Sequence, residues 1–164
     1  MRKLLIALLL LAPVTMAAKG IKIMVKASDA VVEQYTDSVL SIKFRAEYTQ
    51  SFIIAEITNN TEGRIEIEWE NAKFESERII FSDDSPLTMN YKKENEVIYG
   101  GDKLKKTFTS KKFYSERLLE VFSIYSKKTI KKNGGELKRT LILPVIHNGE
   151  TTDYRFELIF VIDE

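Results

Sequence analysis

The stretch FIIAEITNNTEGRIEIEWENAKF, residues 52–74, decides the reading of this chain. An apolar run gives way to small polar residues and then to strict alternation, with Ile65, Ile67 and Trp69 on one side and Glu66, Glu68 and Glu70 on the other. Period two is the pattern of a strand with one face buried. The stretch therefore reads as a central β-hairpin that turns at residues 58–63, where Asn and Gly accept left-handed backbone angles and Asn and Thr side chains bond nearby amides. Trp69, the only tryptophan, falls on the inward face, where a large ring fills the gap between two packed sheets.

The same alternation recurs on both sides. Ile21, Ile23 and Val25 mark a first strand. Residues 27–38 are polar and read as a loop or a helical turn. A second strand spans 39–48, with Leu40, Ile42, Phe44, Ala46 and Tyr48 pointing one way. Ile79, Ile80 and Phe81 suggest another that stops before Pro86, and shorter ones are expected near 88–91, 97–99 and 104–108. Residues 113–125 fit a helical turn over 115–120 or a strand, and the pattern leaves both open.

The last third reads as two hairpins. Lys132-Asn133-Gly134-Gly135 joins strands at 126–131 and 137–146, and His147-Asn148-Gly149-Glu150 leads into a strand at 152–162 whose Tyr154, Phe156, Leu158 and Phe160 share a face. Asn-Gly is a strong hairpin signal because a type I′ turn needs positive φ at both central residues. No segment holds a long 3.6-residue period, and there is no internal repeat. The expectation is an all-β fold, an antiparallel immunoglobulin-like β-sandwich forming one domain over residues 18–164. Charges set opposite bulky aliphatic faces suit a dry core better than the lumen of a membrane barrel.

Arg2 and Lys3, the apolar run at 4–11, Pro13 and then Thr15-Met16-Ala17 have the order of a secretory signal peptide, residues 1–17, with cleavage after Ala17. The apolar core is too short to span a bilayer, so no transmembrane segment is expected in the mature chain. No cysteine follows the cleavage point, so lipidation is excluded. An exported product, periplasmic or on the cell surface, is the expected localisation. Removing the leader leaves 147 residues, the size of one domain, with 23 basic against 24 acidic side chains. That balance exerts no general pull on nucleic acid, and the absence of cysteine excludes disulfides and thiol chemistry. The charge is nonetheless segregated: residues 102–139 carry 12 basic and 4 acidic side chains, while the flanking segments are acidic.

Phe52-x4-Ile57-Thr58-Asn59-Asn60-Thr61, followed by Ile65-x-Ile67-x-Trp69-x4-Phe74, resembles a pattern in small exported bacterial proteins of immunoglobulin-like sandwich type, many of them lipoproteins without an assigned activity. The closing Leu141-x-Leu143-Pro144, Asn148-Gly149 and Tyr154-x-Phe156 is similar to the way such domains end. The resemblance covers about a third of the mature chain by the span of its strand and turn residues. It implies a sandwich and export, and no site residues. The lipidated cysteine of the lipoprotein members is missing here.

Little in the sequence points to catalysis. His147, the sole histidine, sits in a hairpin tip without a visible nucleophile or carboxylate partner. No serine lies in a nucleophile-elbow glycine pattern. Glu66, Glu68 and Glu70 on one strand cannot alone converge on a cation, even if Glu75, Glu77, Asp83 and Asp84 lie nearby, and read as a solvated face. No catalytic, cofactor or metal residue is assigned and no cofactor is expected. Asn59-Asn60-Thr61 matches a glycosylation acceptor but reads more simply as turn chemistry.

The basic block stands out. Lys127, Lys128, Lys131 and Lys132 flank a turn, and Lys138 and Arg139 follow on the return strand, so one protruding hairpin would concentrate positive charge. Lys103, Lys105, Lys106, Lys111 and Lys112 extend the patch, and Phe108, Phe113 and Tyr114 among them suit an interface. The plainer account pairs these lysines with acidic faces and uses them to blunt sheet edges. The leading expectation is a non-enzymatic binding or accessory module of the cell envelope that meets an unknown anionic envelope component or protein through the lysine-rich hairpin. Two alternatives are a structural subunit that pairs strand 152–162 with another chain and an envelope hydrolase using paired carboxylates.

Overall fold

The computed structural model describes residues 20–163 apart from 86, 87, 116 and 119. The expected leader at 1–17 and Pro86 lie outside the described residues. The chain runs as β1 (Ile21–Ala27), β2 (Ala30–Val32), β3 (Gln34–Thr36), β4 (Leu40–Ala46), β5 (Ile53–Asn59), β6 (Arg64–Ile67), β7 (Lys73–Phe74), β8 (Glu77–Phe81), β9 (Glu96–Tyr99) and β10 (Lys103–Ser110). A 3-10 turn, Lys111–Phe113, precedes the small ribbon β11 (Tyr114–Ser115) and β12 (Glu120–Val121). Helix α1 (Lys127–Lys132), β13 (Glu136–His147) and β14 (Glu150–Ile162) complete the fold.

The fold is all-β, and twelve strands form one antiparallel sheet in the order β2-β1-β14-β13-β7-β8-β10-β5-β4-β3, with β6 on β13 and β9 on β6, while β11 and β12 pair separately. Its terminal members, β2 and β3, are separated in the chain only by Glu33, so the sheet curls until it nearly closes. The β13–β14 ladder is the longest, running from Glu136 opposite Val161 to His147 opposite Glu150. Asn148 and Gly149, at φ 53° and 82°, close it as a type I′ turn. Ile21, Ile23 and Val25 of β1, Leu40, Ile42, Phe44 and Ala46 of β4, and Tyr154, Phe156, Leu158 and Phe160 of β14 all face the core, as their alternation predicts.

Residues 52–74 do not form a hairpin. β5 pairs with β4 and β10, whereas β6 pairs with β13 and β9, so the chain crosses between ladders at residues 60–63. A two-residue turn would have fixed register between its flanks; this longer connection does not. Its geometry is set instead by Asn59, fully buried, whose Nδ2 donates to the carbonyls of Gly63 (3.0 Å) and Ile98 (2.8 Å) while its Oδ1 accepts from the Thr61 N–H (2.8 Å). β6 ends at Ile67, so Trp69 lies in a following turn, closed by the Asn71 and Ala72 N–H groups on the carbonyls of Glu68 and Trp69. The indole is nevertheless 1% exposed, edge-on to Phe81 at 5.2 Å, with Nε1 donating to Glu96 at 2.7 Å.

Other expectations fail for local reasons. Residues 27–38 hold β2 and β3 instead of a loop or helical turn, because residues 30–36 pair with β1 and then with β4. Residues 88–91 are turns, closed by N–H groups of Thr88 and Met89 on the Ser85 carbonyl. Tyr48 continues the β4 alternation on paper but lies past its end, in the turn where Gln50 N–H meets the Glu47 carbonyl, and is 64% exposed. The strand at 152–162 is paired with β13 along its length but with β1 only over residues 157–162, so residues 152–156 keep one side that β1 does not cover.

Candidate functional site

Register assigns most connections, apart from 68–72 and 82–95, to one of two ends. The turns 28–29, 37–39, 60–63, 100–102 and 148–149 lie at one, which we call the turn pole; 47–52, 75–76 and the long excursion 111–135 lie at the other, the basic pole. Residues 126–131, expected as a strand, form α1. Ser126 caps it, its Oγ accepting from the Thr129 N–H at 3.0 Å, and Ile130 is fully buried against β13 and β14. One anchored apolar side chain and a cap suffice where six residues cannot hold a helix unaided.

Residues 132–135 are correspondingly no type I′ hairpin: Asn133 has φ −96°. Gly134 N–H reaches the Lys131 carbonyl at 3.3 Å and Gly135 N–H the Ile130 carbonyl at 3.0 Å, with both glycines at positive φ. This is a Schellman helix ending, which uses the same Asn-Gly residues to stop a helix. Just ahead of the cap, Tyr125 stacks on Phe160 at 4.9 Å, and its hydroxyl lies 2.6 Å from the Glu47 carbonyl and 3.0 Å from that of Phe52. Burial, followed by the nearby Glu47 charge, pushes the Tyr125 pKa above the tyrosine range, so it stays a donor.

The four lysines of α1, Lys127, Lys128, Lys131 and Lys132, are exposed, and none reaches a carboxylate among the described residues. Lys131 and Lys132 sit on the last turn, where the helix dipole favours cations. The return-strand residues are engaged differently. Lys138 lies 3.1 Å from Glu136 and 4.0 Å from Glu157, and its bond to Glu136 raises its pKa. Arg139 donates to the Ile124 carbonyl at 3.1 Å, pairs with Glu75 at 3.5 Å and lies over the Phe113 ring, holding the excursion to β13.

The wider patch divides. Lys111 and Lys112 share the basic pole, and Lys112 pairs with Glu75 at 3.4 Å. Lys103 and Lys105 lie along β10 toward the turn pole, and Lys106 bonds Glu96 at 2.7 Å and covers Phe81. Phe108 is core, and Phe113 packs against it, so neither offers an interface. Among the described residues, the basic-pole connections named above expose the large hydrophobic side chains Tyr48, Leu118 and Phe122.

The acidic candidates are dispersed. Glu66 pairs with Arg64 at 3.4 Å, whereas Glu70, beyond the strand, takes the Lys93 N–H at 2.8 Å and the Arg78 guanidinium at 3.0 Å. No group of three or more His, Cys, Asp or Glu side chains is placed to hold a metal ion among the described residues. His147 faces Glu150 across the β13–β14 turn. The carboxyls that depart from their usual range, Glu33, Asp37 and Glu70, all move down, opposite to a general acid.

Asp37 is a group the sequence did not single out. Burial alone would raise it, but N–H bonds from Leu40 and Val39 (2.8 Å each) and the hydroxyls of Tyr154 (2.9 Å) and Tyr35 (3.0 Å) bring its pKa below the ordinary value. It ties the β3–β4 turn to β14. No helix among the described residues is long and apolar enough to cross a membrane. Comparison with family models, curated proteins and solved structures finds no significant match.

Proposed function

We propose that this chain is an exported, non-enzymatic binding module of the cell envelope, an immunoglobulin-like sandwich whose basic pole meets an anionic partner. The observation that carries this reading is the set of four exposed α1 lysines without a carboxylate partner among the described residues, on a helix fixed by Ser126, Ile130 and the Gly134-Gly135 ending. Lysines that merely kept the surface soluble would not need a capped, core-anchored element to present them. The crossing of the chain from β5 to β6, between ladders, supports a two-layer sandwich in which β1, β14, β13, β6 and β9 face β4, β5, β10 and β8. The signal-like order of residues 1–17 supports export.

A lysine near an anionic surface contributes about 1 kcal/mol, and the attraction falls off within a Debye length. Binding of the mature chain to phosphatidylglycerol-containing vesicles or to inorganic polyphosphate is therefore expected to weaken steeply with salt. Replacing Lys127, Lys128, Lys131 and Lys132 together by glutamine weakens it about a hundredfold or more. Sedimentation with either probe measures this, and unchanged binding by the quadruple variant overturns the assignment.

A further inference from the structure

We infer that the anionic partner of the basic pole is a lipid bilayer surface, into which Phe122, Leu118 and Tyr48 insert between the lysines. This rests on the reading of the pole as an anion-binding face and goes on to name the partner.

The three side chains are 47%, 58% and 64% exposed, and all belong to basic-pole connections. Backbone contacts knit those connections together. Ile124 N–H donates to the Gln50 carbonyl at 2.9 Å, Ser51 Oγ to the Val121 carbonyl at 3.3 Å, and Phe122 N–H to the Phe113 carbonyl at 2.7 Å. Two residues beyond Ile124, Ser126 opens the lysine helix. Exposed apolar side chains and the α1 lysines, which meet no carboxylate among the described residues, are thus carried by one connected set of loops.

Three described carboxylates near this pole, Glu75, Glu136 and Glu47, have partners other than the α1 lysines. Glu75 accepts the Thr140 N–H at 2.8 Å and pairs with Arg139 and Lys112, Glu136 pairs with Lys138, and Glu47 takes the Thr49 N–H at 2.9 Å.

A soluble polyanion is satisfied by charge alone and gives a phenylalanine and a leucine nothing to enter. A bilayer interface uses both: headgroups meet the cations, while ring and branched side chains enter the headgroup–acyl boundary. Neither signal alone anchors a protein stably, and the two together do. Charge complementarity with anionic headgroups and the clustered apolar side chains therefore select the same occupant.

The test uses the mature chain carrying Phe122→Trp. Trp69 is buried and supplies a constant background, so a change in emission reports the introduced indole. Blue-shifted emission is expected on vesicles of phosphatidylcholine containing phosphatidylglycerol, with no shift on phosphatidylcholine alone or with inorganic polyphosphate. In a second variant, Leu118→Ser with Phe122→Ser, vesicle affinity falls about tenfold while polyphosphate affinity holds. Vesicle binding without a blue shift, undiminished in the double-serine variant, overturns the bilayer inference and leaves a charge-only anion site. Binding to neither vesicles nor polyphosphate overturns that site as well.

Discussion

At the turn pole, five short connections carry Asp29, Asp37, Glu62 and Asp102 and no basic side chain; at the basic pole, the single excursion 111–135 carries seven basic side chains against two acidic ones. The two ends also differ in what determines their shape. Turns such as Asn148-Gly149 are fixed by their own residues, through backbone angles that few side chains accept. The excursion is fixed from outside, by Tyr125 on Phe160, Ile130 in the core, and Arg139 on Glu75 and the Ile124 carbonyl. Local turn chemistry does more at one pole, where Asn59 and Asp37 each add a long-range tie, and long-range packing does more at the other, so the latter is free to carry a surface that its own backbone does not require.

Removing a pin tests that contrast most severely. Tyr125→Ala takes away a buried ring and both carbonyl contacts, and about 4 kcal/mol of stability is expected to go with it. Denaturant unfolding measures the loss, and vesicle binding below the transition should fall too, because the lysine helix loses its mooring. If binding survives unaltered, the helix does not depend on that anchor.

Asn59→Ala asks the same of the turn pole. It strands the buried Ile98 carbonyl and the Thr61 N–H, and a cost of about 3 kcal/mol is expected. Here vesicle binding should not change, because the site lies at the far end. A loss of both together would mean that the poles are coupled.

Acid sharpens the comparison at a smaller scale. The Asp37 carboxyl has a folded pKa below its unfolded value, so its contribution is fully present above the unfolded pKa, about 4, and is lost as pH falls through the folded one. Asp37→Asn is expected to cost about 1 kcal/mol at neutral pH and to flatten the decline in stability below about pH 4. Stability measured at a series of pH values checks it, and an unchanged acid slope would remove Asp37 as its source.

What the sequence revealed follows the same division. β1 and β4 were legible because one face of each is buried and alternation survives along the strand, and β13 and β14 because it survives over part of each, before the consecutive buried residues at 143–145 and 158–160. The burial of Trp69 was legible too, although its place in a turn was not. The β5–β6 crossing was hidden because a run of turn residues does not say which ladder the next strand will join. Helix α1 was hidden for another reason: KKTIKK has one apolar residue, and periodicity needs at least two on the same face. Ser126 three residues before Thr129 was its only local mark. The exposed Leu118 and Phe122 had none, since composition does not distinguish an uncovered apolar residue from a core one.

The single-residue join at Glu33 has a mechanical consequence. In a chain without cysteine, continuity of the backbone between β2 and β3 ties the first sheet margin to the last, as a covalent cross-link would. That margin hangs on two three-residue ladders in series, β2 on β1 and β3 on β4, so release of either one opens the seam while the other still holds the segment to the sheet. Opening at that line is therefore a local event governed by the weaker of the two short ladders, with the rest of the sheet left in place.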